Sequence, residues 1–319
     1  MSLGEFALIG RLLAPLARGF PGALELTDDA ALGEVGAGEQ LVVAKDAMVA
    51  GVHFLPDDPA ELVAGKLLRV NLSDLAAMGA RPLAYLTTLH RSRELSDAWL
   101  EAFARGLGLD QARFGLHLIG GDTVSTPGPL TLTLTILGTV PRGQALLRRG
   151  ARPGDSVVVS GTLGDAALGL RILQGLAADE DEAMRLVDRY RTPQPRLALG
   201  EALRGVATSA MDISDGLLAD LEHILDASGV GAAVEAARVP LSPPAAHLPG
   251  ALRSALTGGD DYELLFTLPA ERLGELPELS GRGGVPLTVI GRITAEPGLR
   301  LLDEHGRPLP LERKGWTHF

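Results

Sequence analysis

The hydrophobic and polar positions along the 319-residue chain fall into two periods. Residues 130–140, LTLTLTILGTV, alternate Leu or Ile with Thr, as a half-buried strand does. Residues 40–49, QLVVAKDAMV, predict a strand that ends near Asp46, and 82–91, PLAYLTTLHR, predict another. Residues 58–80 have apolar positions at helical spacing and predict a long helix starting after Asp58 and Pro59. A helix capped by Ser96 is predicted over 95–115, and a first helix over 4–18 with Phe6, Ile9, Leu13 and Leu16 on one side. LHLIGGDTVS, 116–125, predicts a short strand that runs into a Gly-Gly turn.

The stretch 140–155, rich in Pro, Gly and Arg, predicts a domain boundary, giving domains 1–143 and 144–319. Beyond it come a strand at 156–161, helices within 164–206, a strand at 207–213, a helix at 215–228, a loop at 239–252 and strands at 262–269 and 286–294. Strands and helices mix in both halves, and hairpin-like order is as common as strict alternation. That predicts two α/β or α+β domains and argues against one doubly wound sheet.

Composition narrows the chemistry. The net charge of −11 and the lack of an obvious basic patch argue against nucleic acid. With no cysteine, disulfides, thiolate nucleophiles and Cys-based metal sites are excluded, which fits a reducing cytoplasm. The amphipathic N-terminus does not resemble a signal peptide, and the most apolar run is too short and Thr-rich to span a bilayer.

Several aspartates share one local grammar: each follows or ends an apolar run, with small residues close by. They are Asp29, Asp46, Asp122 and Asp212, with Asp215 three residues past Asp212 in MDISDGL. Asp74 lies on the long helix, on the same face as Asn71. Taken singly, each reads as a loop acid or a helix cap, and Asp215 could cap the helix after it. If several converge, two unit charges 4 Å apart repel by about 4 kcal/mol at an effective dielectric of 20, and a cation is needed. Carboxylates with small neighbours suit Mg²⁺, held jointly with substrate phosphates. The pair Gly120 and Gly121 before Asp122 could bring backbone N–H groups to a phosphate, or be an ordinary turn. SGTLGDAALG lacks the Gly-Lys-Ser/Thr of a P-loop. His53, in apolar company, reads as a structural histidine.

The ordered set GEFALIG, DDAAL, DAMVAGVHF, KLLRVNLSDLAAMGARP, LIGGDT, ALLRRGARPGD, MDISDGLLADLEHI, GGDDYELLFT and KGWTHF resembles the thiamine-monophosphate kinase family, within the aminoimidazole-ribonucleotide synthetase superfamily. It spans the chain from first helix to last residue. The resemblance implies ATP- and Mg²⁺-dependent phosphorylation of thiamine monophosphate to thiamine diphosphate, by direct in-line transfer. It also implies a homodimer whose N-terminal sheets pair into a barrel. By motif, it implies that Asp29, Asp46, Asp74, Asp122, Asp212 and Asp215 ligate Mg²⁺. Gly121, Asp122, Arg148 and Ser214 would touch ATP, with Asp122, Asp212 and Arg148 carrying catalysis. His53, Asp260 and Trp316 would meet the thiamine phosphate. The chain departs from the pattern at Ala44 and Lys45, where the family has Ser-Thr, at Thr27, where it has Gly, and at Asp260, where it has Glu. Aminoimidazole-ribonucleotide synthetase activity, or Mg·ATP binding without turnover, are the competing expectations.

Overall fold

The computed structural model describes residues 5–27, 30–92, 95–310 and 315. The chain forms two compact units, Met1–Leu75 with Arg81–Gly143, and Ala76–Ala80 with Gln144–Phe319. The division differs from a single boundary in one respect: the end of the long helix packs in the second unit. There Ala76 and Ala77 share a core with Leu199, Leu203 and Phe266, and Met78 O accepts from Leu146 N–H at 3.1 Å.

The first unit holds β1 (Glu39–Val49), α1 (Ala60–Ala77), β2 (Arg81–Ser92), α2 (Asp97–Phe114), β3 (His117–Thr126) and β4 (Thr131–Pro141). The sheet order is β1-β4-β2-β3; β4 runs antiparallel to both its neighbours, and α2 is the crossover between parallel β2 and β3. The Leu/Thr alternation of β4 does what its period demands: Leu132, Leu134 and Ile136 are fully buried while Thr131, Thr133 and Thr135 are partly exposed. Helix α1 is buried around most of its circumference, so its polar residues need partners. Arg69 meets Asp110 of α2 through two hydrogen bonds, 2.6 and 2.8 Å, and Asn71 Nδ2 donates to Leu67 O at 2.9 Å.

Three expectations change here. β1 continues past Asp46 to Val49. The Gly-Gly turn is not a turn: Gly120 and Gly121 lie inside β3, where a register shift against β2 passes Ile119. A Cβ on Gly121 would sit 2.0 Å from Thr87 O, so strand packing itself requires glycine. The first helix is broken into a turn at Glu5–Leu8, a π-turn at Ile9–Leu13 and a 3₁₀ turn at Ala14–Ala17. Gly10 weakens a helix and Pro15 lacks the N–H that would continue one.

The second unit holds β5 (Ser156–Ser160), α3 (Asp165–Leu173), α4 (Glu180–Arg191), α5 (Leu197–Leu203), β6 (Ser209–Asp212), α6 (Leu217–Ser228), β7 (Gly231–Glu235), α7 (Ala251–Thr257), β8 (Leu264–Leu268), α8 (Leu276–Gly283), β9 (Leu287–Thr294) and β10 (Gly298–Leu302). Its sheet has the order β10-β7-β9-β5-β8-β6, antiparallel except between β7 and β10. Val157 and Val159 join α6 in one core, and Val158 joins α5 and α8 in the other. The sheet is therefore covered on both faces, a mixed α/β layering. The loop predicted over 239–252 holds one short helix, Pro243–Ala246, and the start of α7.

Candidate active site

In the first unit, Asp46 is a half-buried mid-strand residue whose N–H donates to Asn71 Oδ1 at 3.1 Å. Asn71 is fully buried, and Asp74 lies one helical turn beyond it. Strand and helix thus bring Asp46 and Asp74 to one neighbourhood through Asn71. His53, in the turn after β1, accepts the Val49 N–H on Nδ1 at 3.1 Å, and its carbonyl accepts from buried Lys66 Nζ at 2.9 Å. That geometry leaves Nε2 as the protonated nitrogen of the neutral ring.

Asp122 stands on β3, exposed, with Oδ1 accepting from Thr123 N–H at 2.7 Å. Asp46 and Asp122 belong to the two edge strands, β1 and β3. Three inter-strand steps put them about 14 Å apart. The fold of one chain therefore keeps these two acids apart. Asp29 and Trp316 lie outside the described residues.

In the second unit, β6 ends at Asp212, which is buried, and the chain turns through Ser214 and Asp215 into α6. The cap expected of Asp215 is not made. The N-cap is Gly216 at φ +119°, where a Cβ would meet Thr257 backbone at 2.9 Å. The turn's N–H groups go instead to Asp220: its Oδ2 accepts from Ser214, Asp215 and Gly216 at 2.9, 3.0 and 3.1 Å. Burial first, and the Asp212 charge next, push the Asp220 carboxyl up to about 7, against the pull of these hydrogen bonds.

The segment Gly259 to Glu263 packs against that turn. Asp260 N–H donates to Ser214 O at 2.9 Å and Tyr262 N–H to Ile213 O at 2.8 Å. Ser214 and Asp260 are thus brought together. Asp260 and Tyr262 both have positive φ, 70° and 50°, a conformation costly for a tyrosine. The two acids beside them point inward. Asp261 accepts the Gly164 N–H that opens α3, and burial holds its carboxyl well above the usual range. That contact gives the SGTLG loop a structural purpose. Glu263 is fully buried and bound by Ser160, Arg189 and Arg196. Arg148 is exposed in the segment before β5, and its carbonyl accepts from Ser228 Oγ at 3.5 Å.

Among the described residues, no three His, Asp or Glu side chains gather closely enough to hold a metal by themselves. The carboxylates of Asp46 and Asp74, and those of Asp212 and Asp215, offer oxygen donors, the kind that Mg²⁺ takes with part of its shell left for phosphate and water.

Two family models match the chain: AIR synthase related protein, N-terminal domain, over residues 27–140, and its C-terminal domain over 152–304. The thiamine-monophosphate kinase of Escherichia coli K12 is 46% identical over 327 residues, covering 100% of this chain and 99% of that protein. The solved thiamine-monophosphate kinase from Stenotrophomonas maltophilia K279a superposes with a TM-score of 0.86 at 45% identity, over 97% of this chain and 99% of that one. The chain belongs to the thiamine-monophosphate kinase family. A further structure of the family, AaThiL complexed with AMPPCP and TMP, has a TM-score of 0.79 at 32% identity, covering 100% of this chain and 99% of that one.

In this kinase chain, Lys45 lies on the exposed side of β1, while Asp46 faces the half-buried side. Sequence reasoning missed Asp220 and Glu263. A signal existed for Glu263: an acid inside the apolar run YELLF must be paired. For Asp220 there was little, since its partners are backbone groups.

Proposed function

We infer that this chain transfers a phosphoryl group from ATP to thiamine monophosphate, giving thiamine diphosphate and ADP. The observation that carries the reading is full-length identity of 46% to a thiamine-monophosphate kinase. The AaThiL complex with an ATP analogue and TMP, on the same fold, supports it.

The acceptor is already a phosphate oxygen, so no strong general base is needed, and catalysis is positioning plus charge neutralisation. We assign Asp46, Asp74 and Asp122, with Asp29, in the first unit, and Asp212 and Asp215 in the second, as groups that hold Mg²⁺ ions, Asp46 and Asp122 of one chain serving different ions. When bound, the ions would screen the two anions from one another and stabilise the charge of the transfer. Ser214 contacts the nucleotide through its hydroxyl, because its N–H is already donated to Asp220. Gly121 and Asp122 meet the phosphates, and Arg148 adds a positive charge. His53, Asp260 and Trp316 bind thiamine monophosphate, the carboxylate complementing the thiazolium charge. The acids do not act as nucleophiles, so no phosphoenzyme forms.

Incubation of the protein with thiamine monophosphate, ATP and Mg²⁺ is expected to yield thiamine diphosphate, read by chromatography. No product would overturn the reading, and a stable phospho-aspartate after ATP alone would overturn direct transfer.

A homodimer is part of the proposal. Leu41 and Val43 are 46% and 57% exposed on β1, an apolar pair that the described residues leave open to solvent. Val43→Asp is expected to sediment as a monomer at a concentration where the wild type is a dimer; an unchanged sedimentation coefficient removes β1 from the interface. A cytoplasmic location goes with the ATP requirement. The lack of cysteine fits a reducing compartment.

A further inference from the structure

The turn between β6 and α6 uses nearly all its backbone. Ile213 N–H donates to Glu263 O and Ile213 O accepts from Tyr262 N–H, while Ser214 O accepts from Asp260 N–H. Gly216 O takes the first helical bond, from Asp220 N–H at 3.0 Å. The three remaining N–H groups, of Ser214, Asp215 and Gly216, converge on one oxygen, Asp220 Oδ2. Consecutive N–H groups at the start of a helix form a concavity that binds anions, and in glycine-loop nucleotide enzymes phosphate fills it. Here the chain supplies the acceptor itself, one oxygen of a side chain that is 1% exposed.

We propose that Asp220 is a positioning residue: its carboxylate fills the N–H concavity of the 214–216 turn, fixes that turn, and so leaves Asp212, Ser214 and Asp215 to engage Mg·ATP through side chains alone. The proposal rests on the functional reading of those three residues. Its physical basis is that three N–H groups, one buried and two partly buried, lose their shared acceptor without Asp220, and a turn carrying Gly216 at φ +119° has other conformations to move to. Asp220 touches no substrate. It acts as an outer-shell group, whose loss costs about 10- to 100-fold in metal affinity or activity.

The test pairs Asp220→Ala with Asp220→Asn. Asparagine keeps an acceptor oxygen in place; alanine removes it. Asp220→Ala is expected to raise the apparent KM for Mg·ATP at least about tenfold, with a smaller change in kcat. Hydrogen exchange on the full chain is expected to show the amides of 214–216 protected in the wild type and in Asp220→Asn, and fast in Asp220→Ala. Asp220→Asn is expected to restore most of the Mg·ATP affinity. The proposal is overturned by an unchanged KM with unchanged protection in Asp220→Ala. It is equally overturned by an Asp220→Asn variant as impaired as alanine, which would make the charge and not the acceptor the working feature. Where Asp220→Ala does not fold, the wild-type exchange decides, because fast amides at 214–216 contradict the clamp. A wild type that forms no thiamine diphosphate counts against the functional reading, while the exchange data test the clamp separately.

Discussion

Asp122→Asn is expected to lower turnover by about 10³-fold or more while leaving the melting temperature almost unchanged. The two halves of this expectation come from different observations. Asp122 is exposed on an edge strand and its side chain accepts from the N–H of its own neighbour, Thr123. Asparagine has the same shape and keeps an acceptor for that N–H, so the stability cost falls within about 0.5 kcal/mol, as at ordinary surface positions. The rate effect comes from charge. Asn is a weaker Mg²⁺ ligand than Asp, and neutralisation of transferring phosphates supplies several kcal/mol, about 1.4 for each tenfold in rate. Asp110 in the same unit shows the contrast: it is buried against Arg69 and its carboxylate serves the fold. Thiamine diphosphate formation and a thermal melt on the same preparation check both halves. A near-normal rate takes Asp122 out of the site, and a large drop in melting temperature shows that its contribution is structural.

Much of the fold was legible where burial and period agree. β4 alternates because one face of its sheet is covered, and α1 reads as a long helix because its leucines recur at helical spacing. Legibility failed where a residue's reason lies in another strand. Gly121 reads as a turn residue, yet it is glycine because Thr87 O occupies the place of its Cβ. β7, GAAVE, escapes notice because a short strand rich in Ala and Gly carries little periodic signal, and β10, GLRLL, because five residues are too few to establish a period. The acids were legible as a set and not as an arrangement. Local pattern marks Asp46 and Asp122 alike, whereas sheet order, which no local pattern encodes, puts them on opposite edges. MDISDGL likewise shows an acid pair but not that Asp220, five residues past Asp215, holds the turn.

Glu263→Ala is expected to destabilise the second unit by about 3–5 kcal/mol, the cost of breaking a buried ion pair from one side. At roughly 2–4 °C per kcal/mol for a unit of this size, the melting temperature falls by on the order of 10 °C. Glu263 is completely buried, Ser160 Oγ donates to Oε2 at 2.5 Å, Arg189 donates to Oε1 at 2.8 Å, and Arg196 holds both oxygens, by Nε at 2.7 Å and by a closer Nη2 contact. The two arginine side chains are only 17% and 19% exposed, so without the carboxylate two like charges remain side by side with little water. Glycine at 161 is part of the same fit, since a Cβ there would lie 2.3 Å from Oε1. Glu263 also ends the segment that holds Asp260 and Tyr262 at positive φ, a conformation costing of order 1–3 kcal/mol per residue that only over-determined surroundings maintain. Loss of the anchor therefore relaxes Asp260. Below the new melting temperature the KM for thiamine monophosphate is expected to rise more than kcat falls, because Asp260 is assigned to binding and not to phosphoryl transfer. Calorimetry and steady-state kinetics on Glu263→Ala, with Glu263→Gln as the variant that keeps shape and loses charge, separate the two effects. An unchanged melting temperature would mean that the arginines find other partners, and an unchanged KM would mean that Asp260 keeps its conformation without this anchor.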